Sequence, residues 1–396
     1  MTISDLNIKG RRALVRVDFN VPLNKSYSVQ DDTRIRRALP TIKALLSGGA
    51  SVVLMSHLGR PKGVSEEFSL RHIISHLEGL LENPVQFASD CVGDRALGIS
   101  QNLKPGEIAL LENLRFHEEE KSGNEFFAGQ LAENGDLYIN DAFGTAHRNH
   151  ASTAVIARFF PEDKAFGKLL EGEISALSRV MSKPARPLLA IIGGAKVSSK
   201  LTVLENMVEK VDKLLIGGGM AYTFILAKGG KVGASLVEKE MVERAKVVLE
   251  RAANSSTEIL LPEDSVCADQ FSADANFMVL NSNEIKEGWM GLDIGPKSCE
   301  KFVAAVKESK TILWNGPMGV FEFEACSKGT FTVANALKDA TKKGAYTLVG
   351  GGDSVAAINV CGLADDVSYV STGGGAMLEY LEGKTLPGIA AIQDQY

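Results

Sequence analysis

The residues best suited to chemistry are arginines and histidines that recur just after short apolar, β-branched runs. Asp18, Phe19 and Asn20 follow the run 13–17, with Arg34 a little further on. His57, Leu58, Gly59 and Arg60 follow 51–55, Arg115 follows 108–111, and His147 and Arg148 follow 137–139. A parallel α/β sheet presents functional residues at the carboxyl ends of its strands, so Arg34, Arg60, Arg115 and Arg148 can converge on one edge. Four guanidiniums with imidazole neighbours suit a small polyanion, because the planar arginine fork matches phosphate and carboxylate bidentately. One such arginine alone would more often pair with a surface acid; four at successive strand ends argue for a ligand.

The second half carries glycine at the corresponding places. The run 188–192 leads into Gly193, Gly194 and Ala195, then Lys196 and Lys200, which can neutralise a phosphate cradled by backbone N–H groups at a helix start. Gly217–Gly219, Gly350–Gly352 with Asp353 and Ser354, and Ser371–Gly375 with Gly373 and Gly374 repeat the arrangement. Asp353 reads in two ways, as an N-cap or as a carboxylate reaching a Mg²⁺ carried by nucleotide phosphates; the adjoining glycines favour the second. Glu322, closing the segment WNGPMGVFE that contains Asn315, is either an acceptor for ribose hydroxyls or a solvated turn acid. No GxxxxGK[ST] pattern is present, because Lys196 and Lys200 fall at the wrong spacing, and GxGxxG is missing after the first strand. An ordinary P-loop enzyme and a dinucleotide dehydrogenase are thereby disfavoured.

Elements able to hold these residues must alternate strand and helix, giving an α/β fold of mostly parallel sheets flanked by helices. Strands are expected at 13–17, 51–55, 108–111 and 137–139, and again at 188–192, 213–216, 311–314 and 347–349. The stretch 32–47 has one apolar side and stops at Gly48 and Gly49, while Pro40 within it implies a kink or a later start. At 396 residues the chain exceeds one typical core, so two domains are expected. The amphipathic stretch 167–181, followed by prolines, is either the linker between them or one more crossover helix. A net charge of −6 argues against a generic nucleic-acid or membrane binder, which would need a basic surface. The five cysteines are odd in number and form no CxxC pair, and the N-terminus lacks an apolar leader core; a cytoplasmic protein is expected.

Long blocks then match a known family. VRVDFNVP at 15–22, SHLGRP at 56–61, LENLRF at 111–116, DAFGTAHR at 141–148, GGAKV at 193–197, WNGPMGVFE at 314–322, GGGDS at 350–354 and STGGGA at 371–376 make the chain resemble phosphoglycerate kinases from end to end. The resemblance implies two Rossmann-like lobes: a triose domain over 1–170, a helical hinge over 171–187, a nucleotide domain over 188–372, and a return segment over 373–396. It implies a monomer in glycolysis and gluconeogenesis that moves a phosphoryl group between 1,3-bisphosphoglycerate and ADP, giving 3-phosphoglycerate and ATP. Asp18, Phe19, Asn20, Arg34, His57, Leu58, Gly59, Arg60, Arg115 and Arg148 would hold the triose. Ala195, Lys200, Gly217, Gly291, Asn315, Glu322, Gly351, Gly352, Asp353 and Ser354 would hold the nucleotide, with Asp353 on Mg²⁺ and with Arg34, Lys196, Gly373 and Gly374 at the transferred group. Segment 25–30 is less glycine-like than the family's usual turn. The rival readings are another acyl-phosphate kinase, with a different arginine set, and a two-lobed anion-binding protein without catalysis.

Overall fold

The computed structural model describes residues 1–393, so the last three residues of the expected return segment, 394–396, lie outside the described residues. The chain divides into two compact units, Met1–Ser175 with the segment from Thr385, and Ala176–Lys384.

In the first unit, β1 (Arg12–Arg16), β2 (Ser51–Met55), β3 (Val85–Ala88), β4 (Ile108–Leu111), β5 (Leu137–Asn140) and β6 (Lys164–Phe166) form one sheet in the order β3-β4-β2-β1-β5-β6. Every pairing in it is parallel. β2, β4 and β5 are buried at every position, as strands covered on both faces must be, and so read as unbroken apolar runs. The helix Thr33–Ser47 buries Ile35, Ala38, Ile42 and Leu45. Pro40 sits inside that single helix, which starts at Thr33 rather than later. The 25–30 turn closes without glycine because Tyr27 takes a left-handed φ of 59° and stacks on His72 at 4.2 Å.

The second unit contains β7 (Leu188–Ile192), β8 (Lys213–Ile216), β9 (Lys231–Val232), β10 (Glu258–Leu260), β11 (Asp264–Ala268) and β12 (Phe277–Asn281). β13 (Glu284–Ile285), β14 (Met290–Ile294), β15 (Thr311–Asn315), β16 (Tyr346–Val349) and β17 (Tyr369–Val370) follow. Its main sheet, ordered β10-β8-β7-β15-β16-β17, is parallel throughout. An antiparallel sheet β12-β11-β14 and a short pair β13-β9 stand beside it in the chain's topology, and neither is expected from the sequence.

The helix Lys168–Met181 runs from β6 of one sheet to β7 of the other and spans the unit boundary, so it is no crossover within a sheet. Its first turn is held from the first unit. Asp141 Oδ1 accepts from the backbone N–H groups of Leu169 (2.9 Å) and Leu170 (3.2 Å), and Thr41 Oγ1 accepts from that of Lys168 (2.8 Å). A Cβ on Gly167 would collide with the Asp141 carboxyl group, so this approach requires glycine. Burial pushes the Asp141 carboxyl up to about 7 despite those donors.

Candidate active site

The order β4-β2-β1-β5 sets four carboxyl ends side by side, and the segments leaving them carry the basic residues. Arg34 Nη1 donates to the Asn20 carbonyl at 2.7 Å and stands 3.5 Å from Asp18 Oδ2. Asn20 Oδ1 accepts from Gly59 N (2.8 Å), and the Gly59 carbonyl accepts from Arg115 Nη1 (2.6 Å). Asn113, wholly buried, clamps the same loop: its Oδ1 accepts from Leu58 N (3.2 Å) and Arg115 N (3.0 Å), while its Nδ2 donates to the Leu58 carbonyl (2.8 Å). Gly59 has φ +63° and faces the Phe68 ring where a Cβ would sit, so no other residue fits that turn. Asp18, Asn20, Arg34, Leu58, Gly59 and Arg115 are thus joined by hydrogen bonds and one close ion pair. Arg60 and Arg148 are exposed, and neither side chain is engaged by a carboxylate among the described residues. Phe19 and Leu58 are buried and their N–H groups are already donated, Phe19 N to Ser56 Oγ at 2.8 Å.

Sequence reasoning overlooks Arg16. It is 1% exposed, donates from Nε to Ser152 Oγ (2.8 Å), also bonds the Val17 carbonyl, and lies 3.2 Å from His57 Nδ1. Ser152 Oγ in turn donates to the buried Glu120 carboxylate at 2.6 Å. Burial first, and then Arg16, Arg115 and Arg34, hold the His57 imidazole well below its usual range. His150 is pushed down to about 3 by burial and then by Arg16, Arg115 and Arg148. Arg115 itself is lowered to about 10 by burial and the neighbouring cations Arg16 and Arg148. Positive charge is therefore in excess along this edge, and both histidines are neutral at physiological pH.

In the second unit the carboxyl ends of β8, β7, β15 and β16 are neighbours in the same way. Their loops touch backbone to backbone: Gly193 N donates to the Asn315 carbonyl (2.9 Å), Gly194 N to Pro317 (3.2 Å) and Gly218 N to Met318 (3.0 Å). A Cβ on Gly193 or Gly316 would run into the other's loop. Beside them opens a pocket of about 550 Å³ whose lining includes Gly194, Ala195, Gly291, Glu322 and Asp353, with an apolar wall of Leu236, Phe271 and Leu292. Ala195, Gly291, Glu322 and Asp353, all expected at one site, line this one pocket together; the apolar wall is not foreseen. Gly291 is glycine because a Cβ would overlap the Tyr222 hydroxyl, which donates to Ser265 Oγ at 2.9 Å.

Gly217, Asn315, Gly351 and Ser354 support the pocket from outside its lining. Asn315 is wholly buried and donates to the Gly350 carbonyl at 2.8 Å, and its Oδ1 has no partner. Ser354 Oγ accepts from Gly316 N, and Gly351 takes φ +96° against the Asn315 amide. Gly352–Val360 is a helix with Gly351 at the N-cap position, so Asp353 lies within the first turn and makes no cap; that reading of it falls. Lys200 is lowered to about 8 by burial, an effect opposed by Asp353. The helix expected after Gly194 begins only at Leu201, so Lys196, which is exposed, sits on the intervening turn. Gly373 N donates to Ser371 Oγ at 3.1 Å, and Gly374 takes φ +49° at the start of helix Gly375–Leu381.

A parallel sheet with a basic carboxyl edge in one unit, and one with a glycine-lined pocket at its carboxyl edge in the other, define an α/β phosphotransferase built from two units. The sequence matches phosphoglycerate kinase over residues 3–384. It is 51% identical to the phosphoglycerate kinase of Porphyromonas gingivalis, over 99% of this chain and 100% of that one. To that of Herpetosiphon aurantiacus it is 53% identical, over 100% and 99%. The solved structure of phosphoglycerate kinase from Coxiella burnetii is similar with a TM-score of 0.91 at 40% identity, covering 100% of this chain and 99% of that one. The chain belongs to the phosphoglycerate kinase family and is a kinase.

The depressed histidines give a test. The folded state binds fewer protons there than the unfolded chain, whose imidazoles titrate at about 6.5, so stability is lost progressively as pH falls below that value towards the depressed folded-state range. Asp141 acts oppositely, gaining native protons below about 7. By NMR, neither His57 nor His150 should show the protonation that a free imidazole shows at about pH 6.5, and the His57→Gln/His150→Gln double variant should lose less melting temperature on acidification than the parent. An imidazolium signal from either residue at pH 6 would contradict the charge arrangement described above.

Proposed function

We propose that the chain catalyses reversible, Mg²⁺-dependent phosphoryl transfer between 1,3-bisphosphoglycerate and ADP, giving 3-phosphoglycerate and ATP in glycolysis and gluconeogenesis. The observation that carries this reading is the pairing of an edge crowded with arginines, where Arg16 and Arg148 lower Arg115, and a separate glycine-lined pocket of about 550 Å³. Asp18, Asn20, Arg34, His57, Arg60, Arg115 and Arg148 hold the triose. The exposed guanidiniums of Arg60 and Arg148 take its non-reacting phosphate, and Arg34, tethered to Asn20, faces the transferred group.

The nucleotide lies along Gly194, Ala195 and Gly291, its base against the apolar wall and its ribose toward Glu322, while Lys200 meets its phosphates. The Asp353 carboxylate is a hard oxygen donor at the pocket wall, which fits Mg²⁺ on those phosphates; the cation, when bound, offsets phosphate charge. Transfer is in line from one ligand oxygen to the other and needs no enzyme nucleophile. Catalysis is then positioning and charge stabilisation by Arg34, Lys196 and the N–H groups near Gly373 and Gly374, acting on a loose transition state. The two ligands must be brought into line with water kept out, so hinge bending about the segment 171–187 and the return of the chain belongs to the proposal.

Unpaired cysteines, three of them buried, fit a reducing cytoplasm, and we take the working enzyme to be a monomer without nucleic-acid or membrane partners. Among the described residues no helix is long and apolar enough to cross a membrane.

Arg34→Ala should lower kcat by about 10²–10³ with the fold unchanged, measured with ATP and 3-phosphoglycerate in a coupled assay. Arg148→Ala should instead act mainly on the KM for 3-phosphoglycerate, because a contact to a non-reacting phosphate is equal in ground and transition states. Near-normal turnover in the first variant would remove Arg34 from the chemistry.

Asp353→Asn keeps the shape of the first helical turn and removes the charge. A large loss of turnover, partly restored by raising magnesium, is the expected outcome. Parent-like activity at low magnesium would assign the carboxylate no metal role.

A further inference from the structure

On the same sheet as the basic edge, β3 and β4 are parallel neighbours, and the segments leaving them bring together three side chains that the reaction does not use. Asp90 and Cys91 follow β3, and His117 follows β4. One carboxylate oxygen, the thiol sulfur and an imidazole nitrogen lie within 4.8 Å of one another. His117 Nε2 is 2.8 Å from Asp90 Oδ1, the same oxygen that accepts from Cys91 N at 2.7 Å. The Cys91 backbone and the His117 ring are fixed from behind. Asn134, wholly buried, donates to the Cys91 carbonyl (3.3 Å) and accepts from Ser100 (2.9 Å), and the His117 ring packs on Phe127 with centroids 5.1 Å apart. The sulfur side is closed, whereas the His117 and Asp90 side chains are 30% and 34% exposed, which leaves an approach from solvent.

We propose that Asp90, Cys91 and His117 form a site for a thiophilic divalent cation of the Zn²⁺ class, separate from the magnesium of the reaction. A sulfur, a nitrogen and a carboxylate oxygen on a compact triangle are the donor set that zinc takes with three protein ligands and one open position. The sulfur selects against Mg²⁺ and Ca²⁺, which take oxygen ligands. The charges balance, because the Asp90 carboxylate and a Cys91 thiolate offset the two positive charges of the ion. Burial, and then the carboxylates of Asp90, Glu120 and Glu112, hold the Cys91 thiol well above its usual range, so the thiolate forms only with a cation there to offset that negative field. On binding, the Cys91 thiol releases one proton to solvent for each ion. His117 coordinates through Nε2 with its proton on Nδ1, so its hydrogen bond to Asp90 gives way to two metal bonds. The ion would join the turns after β3 and β4, the second of which also carries Arg115.

The probe is Co²⁺ added to the metal-stripped full-length protein with magnesium in excess. One equivalent per chain should give a thiolate-to-cobalt charge-transfer band in the near ultraviolet, displaced by Zn²⁺. Cys91→Ser should abolish the band, Cys299→Ser should leave it intact, and His117→Gln, at a partly exposed position, should weaken Co²⁺ affinity by at least about tenfold. No band in the parent protein, a band that survives in folded Cys91→Ser, or unchanged affinity in His117→Gln would overturn the site.

Discussion

A guanidinium buried beneath the basic edge adds its charge to that of every cation above it, and the site in the first unit depends on how that charge is held. Arg16 sits on the central strand β1 at 1% exposure, and its positive charge has little access to solvent screening. Its compensation is indirect: Ser152 links it to the buried carboxylate of Glu120. A buried ion placed in this way is tolerated only when its hydrogen bonds are filled, and Arg16 donates from each of its three nitrogens to a serine, a backbone carbonyl or an imidazole. Burial is the larger cause and Arg16 the next: together they keep His57 and His150 neutral and lower Arg115 to about 10. The exposed Arg60 and Arg148 meet no carboxylate among the described residues.

The second unit meets the same need by different means. Here the backbone itself lines the site, and it does so because Gly193, Gly218 and Gly316 let three strand-end loops touch where any side chain would intervene. Lysine then supplies charge at two distinct levels of exposure. Lys200 is partly desolvated next to Asp353 and lowered to about 8, whereas Lys196 is left in solvent on a turn. A mobile cation suits a group in transit and a desolvated one suits a bound phosphate, which is how the proposed division of labour between them arises.

Much of this was legible in the sequence, and physical reasons decide which parts. Central parallel strands are buried on both faces and read as continuous apolar runs, so the residues at their carboxyl ends could be located. β3, with Gln86 exposed, is an edge strand, and β6, β10 and β17 are two or three residues long, too short to read as apolar runs even where, as in β6, every residue is buried. β11, β12 and β14 form an antiparallel sheet with mixed burial, and missing them meant missing the apolar pocket wall. Arg16 was hidden by its setting within the run 13–17, although a charge in an otherwise apolar central strand was itself the signal. Asp353 needed the structure, since only the start of the helix at Gly352 separates a capping residue from one in the first turn.

The central claim is that triose and nucleotide are held by different units of one chain. Backbone chemical-shift mapping of the full-length protein, titrated with 3-phosphoglycerate alone and then with Mg·ADP alone, tests it directly. 3-Phosphoglycerate should shift Asn20, His57–Arg60, Arg115 and Arg148, and Mg·ADP should shift Gly194, Ala195, Gly218, Gly291, Glu322 and Asp353. Shifts from 3-phosphoglycerate centred on the glycine loops of the second unit, or from Mg·ADP centred on the arginine edge of the first, would contradict it.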